Sequence, residues 1–222
     1  MAFRYFILLL VIVYQAASLH VTHISECGVS RGCWRLPLGC QNQNDCHTLI
    51  TWKHAGRHLV MEMESKLKQG GDEWISLGFS KDAMMGNDTV FECHFPKSGA
   101  GSVYISHNSA KTNTILQTAS QMLLKDEYAE ITEGRGFCGA EWKLDNIHMT
   151  KKEKTLIHTI TSGRYHLFFA RGQLANGEKK MHSMSGEDAP WKSQETVRFC
   201  ARCDKNYANL DGSNDFKKAA AA

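Results

Sequence analysis

Glu73-Trp74-Ile75-Ser76-Leu77-Gly78-Phe79-Ser80 and Thr89-Val90-Phe91-Glu92-Cys93-His94-Phe95, with Gly86-Asn87-Asp88 in the break between them, place apolar residues at every second position. Period two marks a strand with one buried face, because successive Cβ atoms of an extended chain point to opposite sides. Working outward, the pattern begins at Leu49 and recurs over residues 58–64, 102–106, 137–142, 156–160, 165–170 and 195–200. Gly70-Gly71-Asp72, Gly99-Ala100-Gly101 and Asn176-Gly177 supply further breaks, with one weak helical stretch at 115–124 and only three prolines in the chain. Many short strands at such spacing predict an all-β protein, a sandwich or a barrel.

The first residues read as a targeting segment. Arg4 precedes a nine-residue apolar run over 6–14 and then the small residues Ala16, Ala17 and Ser18, the layout of a signal peptide cleaved after Ser18. Nine residues fall well short of the roughly 20 needed to cross a bilayer. Removing Arg4 from the 26 basic residues leaves 25 against 23 acidic ones, a balance that excludes a general nucleic-acid binder. The expected organisation is a signal peptide over 1–18, a cysteine-rich extension over 19–48, a single domain over 49–203, and a disordered polar and alanine tail over 204–222. That tail has no hydrophobic end of the kind a lipid-anchor signal requires. The mature chain is therefore expected to be secreted and extracellular, with no membrane span.

All eight cysteines, Cys27, Cys33, Cys40, Cys46, Cys93, Cys138, Cys200 and Cys203, lie beyond the cleavage site, and an even number in an oxidising compartment reads as disulfides. Spacing alone does not assign the pairs. Four of them crowd into 27–46 and predict a stapled N-terminal loop region. Cys200-Ala201-Arg202-Cys203 has the spacing of a redox pair or half a zinc site, but it lacks the βαβ setting of the first and the second ligand pair of the second.

Enzyme chemistry finds little support. There is no Gly-x-Ser-x-Gly, and Ser106 and His107, being adjacent in a strand, face opposite sides. No His-Glu-x-x-His or His-x-His pair presents metal ligands in local register, so any metal site must be assembled from distant residues. The long loop from Gly172 to Trp191, polar and holding His182, is a place to look for a site.

The segment from Trp74 through Lys81-Asp82-Ala83-Met84-Met85-Gly86-Asn87 to Cys93 resembles the DOMON domain, as does Tyr165-His166-Leu167-Phe168-Phe169-Ala170-Arg171-Gly172 with its following loop. Cys27, Cys33, Pro37-Leu38-Gly39-Cys40, Cys46 and Trp52 are similar to the N-terminal pattern of the animal ferric-chelate-reductase-like members, and the likeness runs from about Cys27 to Arg198. The resemblance implies an immunoglobulin-like antiparallel β-sandwich and, as in some members, haem b held between a methionine and a histidine. By position these are Met85 and His182, with Met84 as substitute if the register slips by one and His166 as the rival histidine. A thioether with an imidazole raises the haem potential, and filling both axial positions suits one-electron transfer rather than oxygen binding. Those relatives fuse the domain to a transmembrane cytochrome, so this chain would need a separate redox partner.

Without the resemblance, a methionine at a strand end is ordinarily core filler and a histidine on a polar loop is ordinarily solvated. The alternative is a haem-free extracellular module that recognises a carbohydrate, a small molecule or a cell-surface protein, with Trp34 and Trp191 as candidate exposed aromatics. Asn87-Asp88-Thr89, the one sequon after residue 18, makes Asn87 the expected glycosylation site.

Overall fold

The computed structural model describes residues 24–37, 39–42, 44–145 and 149–199, and the backbone of 209–211. In chain order the elements are β1 (Gly32–Leu36), β2 (Thr48–Ala55), β3 (His58–Lys66), β4 (Glu73–Ser80), β5 (Asp88–Phe95), β6 (Ser102–Ser109), β7 (Thr112–Ile115), α1 (Gln117–Leu123), β8 (Leu124–Thr132), β9 (Arg135–Lys143), α2 (Lys151–Leu156), β10 (Arg164–Ala175), β11 (Glu178–Lys179), β12 (Trp191–Lys192), β13 (Val197–Arg198) and β14 (Asn209–Asp211). They form two sheets, β14-β1-β2-β3-β9-β8 and β11-β10-β4-β5-β6-β7, with β12 and β13 also pairing along β10. Every pairing between strands is antiparallel except β1 with β14. The predicted all-β antiparallel sandwich is the observed architecture.

Alternation decides which side chains meet between the sheets. Ile75, Leu77 and Phe79 of β4 and Phe91, Cys93 and Phe95 of β5 are buried in one core with Met61 and Met63 of β3 and Cys138, Ala140 and Trp142 of β9. Phe79 packs edge-on against Trp142, Tyr165 and Phe199, and Phe199 in turn against Trp52. Each such fully buried aromatic contributes about 2–3 kcal/mol of apolar burial, so the aromatics at this end of the core anchor both layers. Cys93–Cys138 stitches β5 to β9 across the layers, and its 45-residue separation corresponds to about 4 kcal/mol in the chain-entropy account. Cys27–Cys33 and Cys40–Cys46 staple the N-terminal region, as the clustering predicts. Cys200 and Cys203 lie outside the described residues, as do the signal-like segment and all of the expected tail except 209–211.

Four sequence expectations need correction. The cysteine-rich stretch is not an appendage: β1 pairs along its whole length with β2, so the boundary drawn at 48/49 cuts through one sheet. Trp34 sits in β1 opposite Ile50 and is fully buried, so it offers no binding surface. Residues 156–160 do not form a strand. Thr150 and Glu153 make a reciprocal capping box that starts α2, and the chain after Leu156 is irregular while Ile157 and Ile160 enter the core. The run at 195–200 shortens to the two-residue β13. The predicted helix appears as α1, with Ala119 and Leu123 buried.

Candidate functional site

The outer face of the β10-β4-β5-β6 sheet carries a polar clamp at the end where β4 begins. Asn176 and Gly177 take positive φ, the geometry of a tight hairpin turn, and fold β11 back along β10. Gly172 lies opposite Trp74, and a Cβ there would come within 2.8 Å of the indole, so the absence of a side chain lets the ring lie flat across β10. The indole N–H then donates to the Lys180 carbonyl at 3.0 Å. Lys179 extends over the ring with its ammonium 4.0 Å from the centroid, a cation–π contact, and reaches Glu92 at 2.7 Å.

Glu92 is fully buried, and its carboxylate also accepts from the Ser106 hydroxyl at 2.7 Å and lies 3.0 Å from His94 Nε2. Burial alone would raise its pKa, but the His94 contact, the Lys179 charge and hydrogen bond, and the Ser106 hydroxyl outweigh it and hold the carboxyl down at about 2. The His94 ring in turn packs edge-on against Tyr104. A second knot continues the clamp: Arg171 pairs with Asp188 at 2.9 Å and donates to the Lys66 carbonyl, and Lys68 reaches Asp188 at 2.7 Å. The loop after β11 is thus tied down at both of its ends.

The other end of β4 leads into the 81–87 loop. The Ser80 hydroxyl lies 3.1 Å from both Asp82 Oδ1 and the Met84 carbonyl, the Met84 N–H donates to Asp82, and the Gly86 N–H donates to Asp88. Met84 is 68% exposed and Met85 42% exposed. Beneath the loop, His107 Nδ1 and Thr89 Oγ1 contact the Leu156 carbonyl, and the His158 N–H donates to Thr89. His158 stacks on Tyr165, and burial, followed by the charge of Lys81, pushes its pKa down to about 4. Asp88 is buried as well, and desolvation raises its pKa.

The segments that carry Met85 and His182 are therefore anchored at opposite ends of β4. His182 follows the Lys180 carbonyl, fixed on Trp74, by two residues, which span at most about 7 Å. Met85 follows the Met84 carbonyl, fixed on Ser80, by one residue. The six steps from Trp74 to Ser80 cover roughly 20 Å at about 3.3 Å per residue. The anchors of the two segments are thus separated along β4 by most of the strand's length. Met84 shares the position of Met85. His182 is half-buried, with its Nδ1 3.0 Å from the Ser183 carbonyl.

His166, opposite Ser80, is at the methionine end, with its Nδ1 3.4 Å from the Ser193 carbonyl. On the same outer face Phe168 lies over Gly78. Between the sheets the aromatics fill the space. A small cavity bounded by Leu36, His47, Phe169, Arg171 and Trp191 has room for about one water.

Among the described residues no group of three or more His, Cys, Asp or Glu is placed to hold a metal ion, and no helix is long and apolar enough to cross a membrane. The clamp escaped sequence reasoning because Glu92 and Lys179 are 87 positions apart and neither sits in a motif. The available signal was a lone carboxylate at an outward position in an apolar strand, which needs a partner once that face is covered. Asn87, the expected glycosylation site, is exposed at a positive-φ turn position. Trp191 is half-buried in β12.

Comparison with known proteins bears on this geometry. Residues 44–172 match the DOMON domain family. The chain is 26% identical over 147 residues to the "Putative ferric-chelate reductase 1 homolog" of Drosophila melanogaster, covering 66% of this chain and 22% of that protein. It is 23% identical over 174 residues to the human "DOMON domain-containing protein FRRS1L", covering 78% and 54%. It is 22% identical over 165 residues to the "Putative ferric-chelate reductase 1" of Danio rerio, covering 73% and 27%. The chain thus spans between about a fifth and about a half of the length of these relatives. With more than half of its residues matched by the family profile and a two-layer antiparallel sandwich beneath them, the chain belongs to the DOMON domain family.

Proposed function

We propose that this chain is a haem-free extracellular DOMON module that acts by binding rather than by carrying electrons. The observation that carries the reading is the clamp. Trp74, Lys179 and Glu92 hold the segment leading to His182 at one end of β4, while Ser80 holds Met84 and Met85 at the other. Electron carriage would require the thioether and the imidazole to share one iron. Three disulfides among the described residues support an oxidising compartment, in keeping with the signal-like opening of the sequence. An exposed sequon asparagine supports a glycoprotein. The reductase activity in the names of the relatives belongs to proteins of which this chain matches about a quarter, and it is not carried over with the domain.

The test is an absorption spectrum of the secreted protein before and after titration with haemin. The expected result is no saturable low-spin Soret band. A low-spin spectrum that disappears in Met85→Ala and in His182→Ala would overturn the proposal in favour of the cytochrome reading. A parallel His166→Ala variant identifies any ligation through the histidine at the methionine end.

A further inference from the structure

The charges at the two ends of the sandwich are handled differently, and the end with the 81–87 loop is left with a strip of cations. Lys81 follows β4, Arg164 opens β10, Arg198 ends β13, and Lys151, Lys152 and Lys154 lie on α2. All six are exposed, and none makes an ion pair among the described residues. Topology brings them together. Arg164 and Arg198 are direct cross-strand partners. His166, two residues past Arg164, pairs with Ser80, next to Lys81. The Leu156 carbonyl that ends α2 is bonded to Thr89 of β5 and His107 of β6. Lys81 also acts electrostatically on His158, two residues beyond α2. From β13 across β10, β4 and β5 to β6, at about 4.8 Å per strand, the strip covers roughly 20 Å.

Three of the acids beside it are engaged by hydrogen-bond donors. Asp82 accepts from the Met84 N–H, buried Asp88 accepts from the Gly86 N–H and the Asn108 side chain, and Glu153 closes the capping box on Thr150. Two arginines directly opposite each other on paired strands repel, and among the described residues the pair's one side-chain hydrogen bond runs from Arg164 Nε to the neutral Thr196 hydroxyl. With a nearly balanced chain overall, this is segregation of charge rather than general basicity.

We propose that this end is a binding site for a linear sulfated polysaccharide. The proposal rests on the extracellular, haem-free reading and names the partner class for it. The cations form an extended strip and do not converge on a pocket, which suits a chain of repeated anions better than one small ligand. An arginine fork donates two parallel N–H bonds to a pair of oxygens of a tetrahedral sulfate group. The exposed Met84 and Met85 raise an anionic membrane as the rival surface, but insertion there would dehydrate Asp82 and the exposed Asn87 on the same loop.

The experiment is retention on immobilised heparin in a salt gradient starting at physiological ionic strength, with the full secreted chain and no haemin. Wild type is expected to be retained and to be displaced by soluble heparin but not by its desulfated form. The variants Lys152→Glu/Lys154→Glu and Arg164→Glu/Arg198→Glu are expected to weaken binding at least tenfold. Lys97→Glu/Lys180→Glu, which makes the same change in net charge at the clamped end, is expected to elute with wild type. Thermal melting of each variant separates lost binding from lost folding, and the desulfated competitor decides the point on wild type alone. Equal losses in all three variants, or sedimentation with phosphatidylserine vesicles without heparin retention, would overturn the proposal. A Soret band would strike at the haem-free reading and leave the chromatography unaffected, so the two failures are distinguishable.

Discussion

The two ends of the β4–β5 pair are built from the same alternating strands yet solve opposite problems. At the clamped end the charges of the clamp are paired with one another: Lys179 has Glu92, Arg171 has Asp188, and Lys68 shares that same carboxylate. At the open end the carboxylates of Asp82, Asp88 and Glu153 accept from backbone donors, and Lys81, Lys151, Lys152, Lys154, Arg164 and Arg198 make no ion pair among the described residues. Pairing locks a loop in place, whereas withholding the pairs leaves a surface free to find its counter-charge elsewhere. A sandwich whose middle is fixed by packing can therefore hold stability at one end and recognition at the other.

The sharpest way to break the contrast is Trp74→Ala. It removes a buried aromatic, the hydrogen bond to the Lys180 carbonyl and the platform under Lys179. It should cost about 3–5 kcal/mol, read as a lower midpoint in denaturant unfolding, and should release the 180–185 loop to proteolysis. An unchanged midpoint would mean that the clamp is decorative. Acid titration probes the same end by a different route. The Glu92 carboxyl falls from 4.5 unfolded to about 2 folded. Its contribution is complete above pH 4.5 and is lost as the pH drops toward 2, roughly 3 kcal/mol in all, and Glu92→Gln should flatten that limb of the stability profile.

The open end should yield first on acidification. His158 is held neutral, its pKa lowered from 6.5 to about 4, so the unfolded chain takes up the proton first and stability declines between pH 6.5 and 4. His158→Phe, which keeps the stack on Tyr165, should remove this earlier limb and leave the Glu92 limb intact. The smallest effect is expected from Asn87→Gln: loss of one glycan's mass on a gel of the secreted protein, with the melting temperature unchanged. Asn87 is exposed, and its side chain is absent from the hydrogen bonds that hold the loop.

How far these ends were legible in the sequence depended on what each residue touches. β3, β4, β5 and β9 announce themselves because one face of each meets the opposite sheet, so apolar residues must recur at period two. β8 gave no such signal. It is an edge strand carrying Lys125-Asp126-Glu127 outward, with a bulge between Lys125 and Tyr128, and its composition reflects water rather than the core. Trp34 was offered to solvent because the cysteines around it look like loop, whereas β1 is a full sheet member. The family pattern picked out Met85 and His182, but the course of the chain leading to His182 is set by where Trp74 seats it after β11, a contact between positions 106 apart. Period and motif report what lies along the chain. Clamps and charged strips report what folding brings beside it.

The parallel pairing of β14 with β1 has a practical corollary. Asn209, Leu210 and Asp211 lie alongside Cys33, Trp34 and Arg35 and cover the rim of the six-stranded layer. A recombinant version trimmed before residue 209 would expose that rim's amide and carbonyl groups as a template for a neighbouring molecule's strand. Self-association of such a shortened protein would then report on the cut and not on any natural partner.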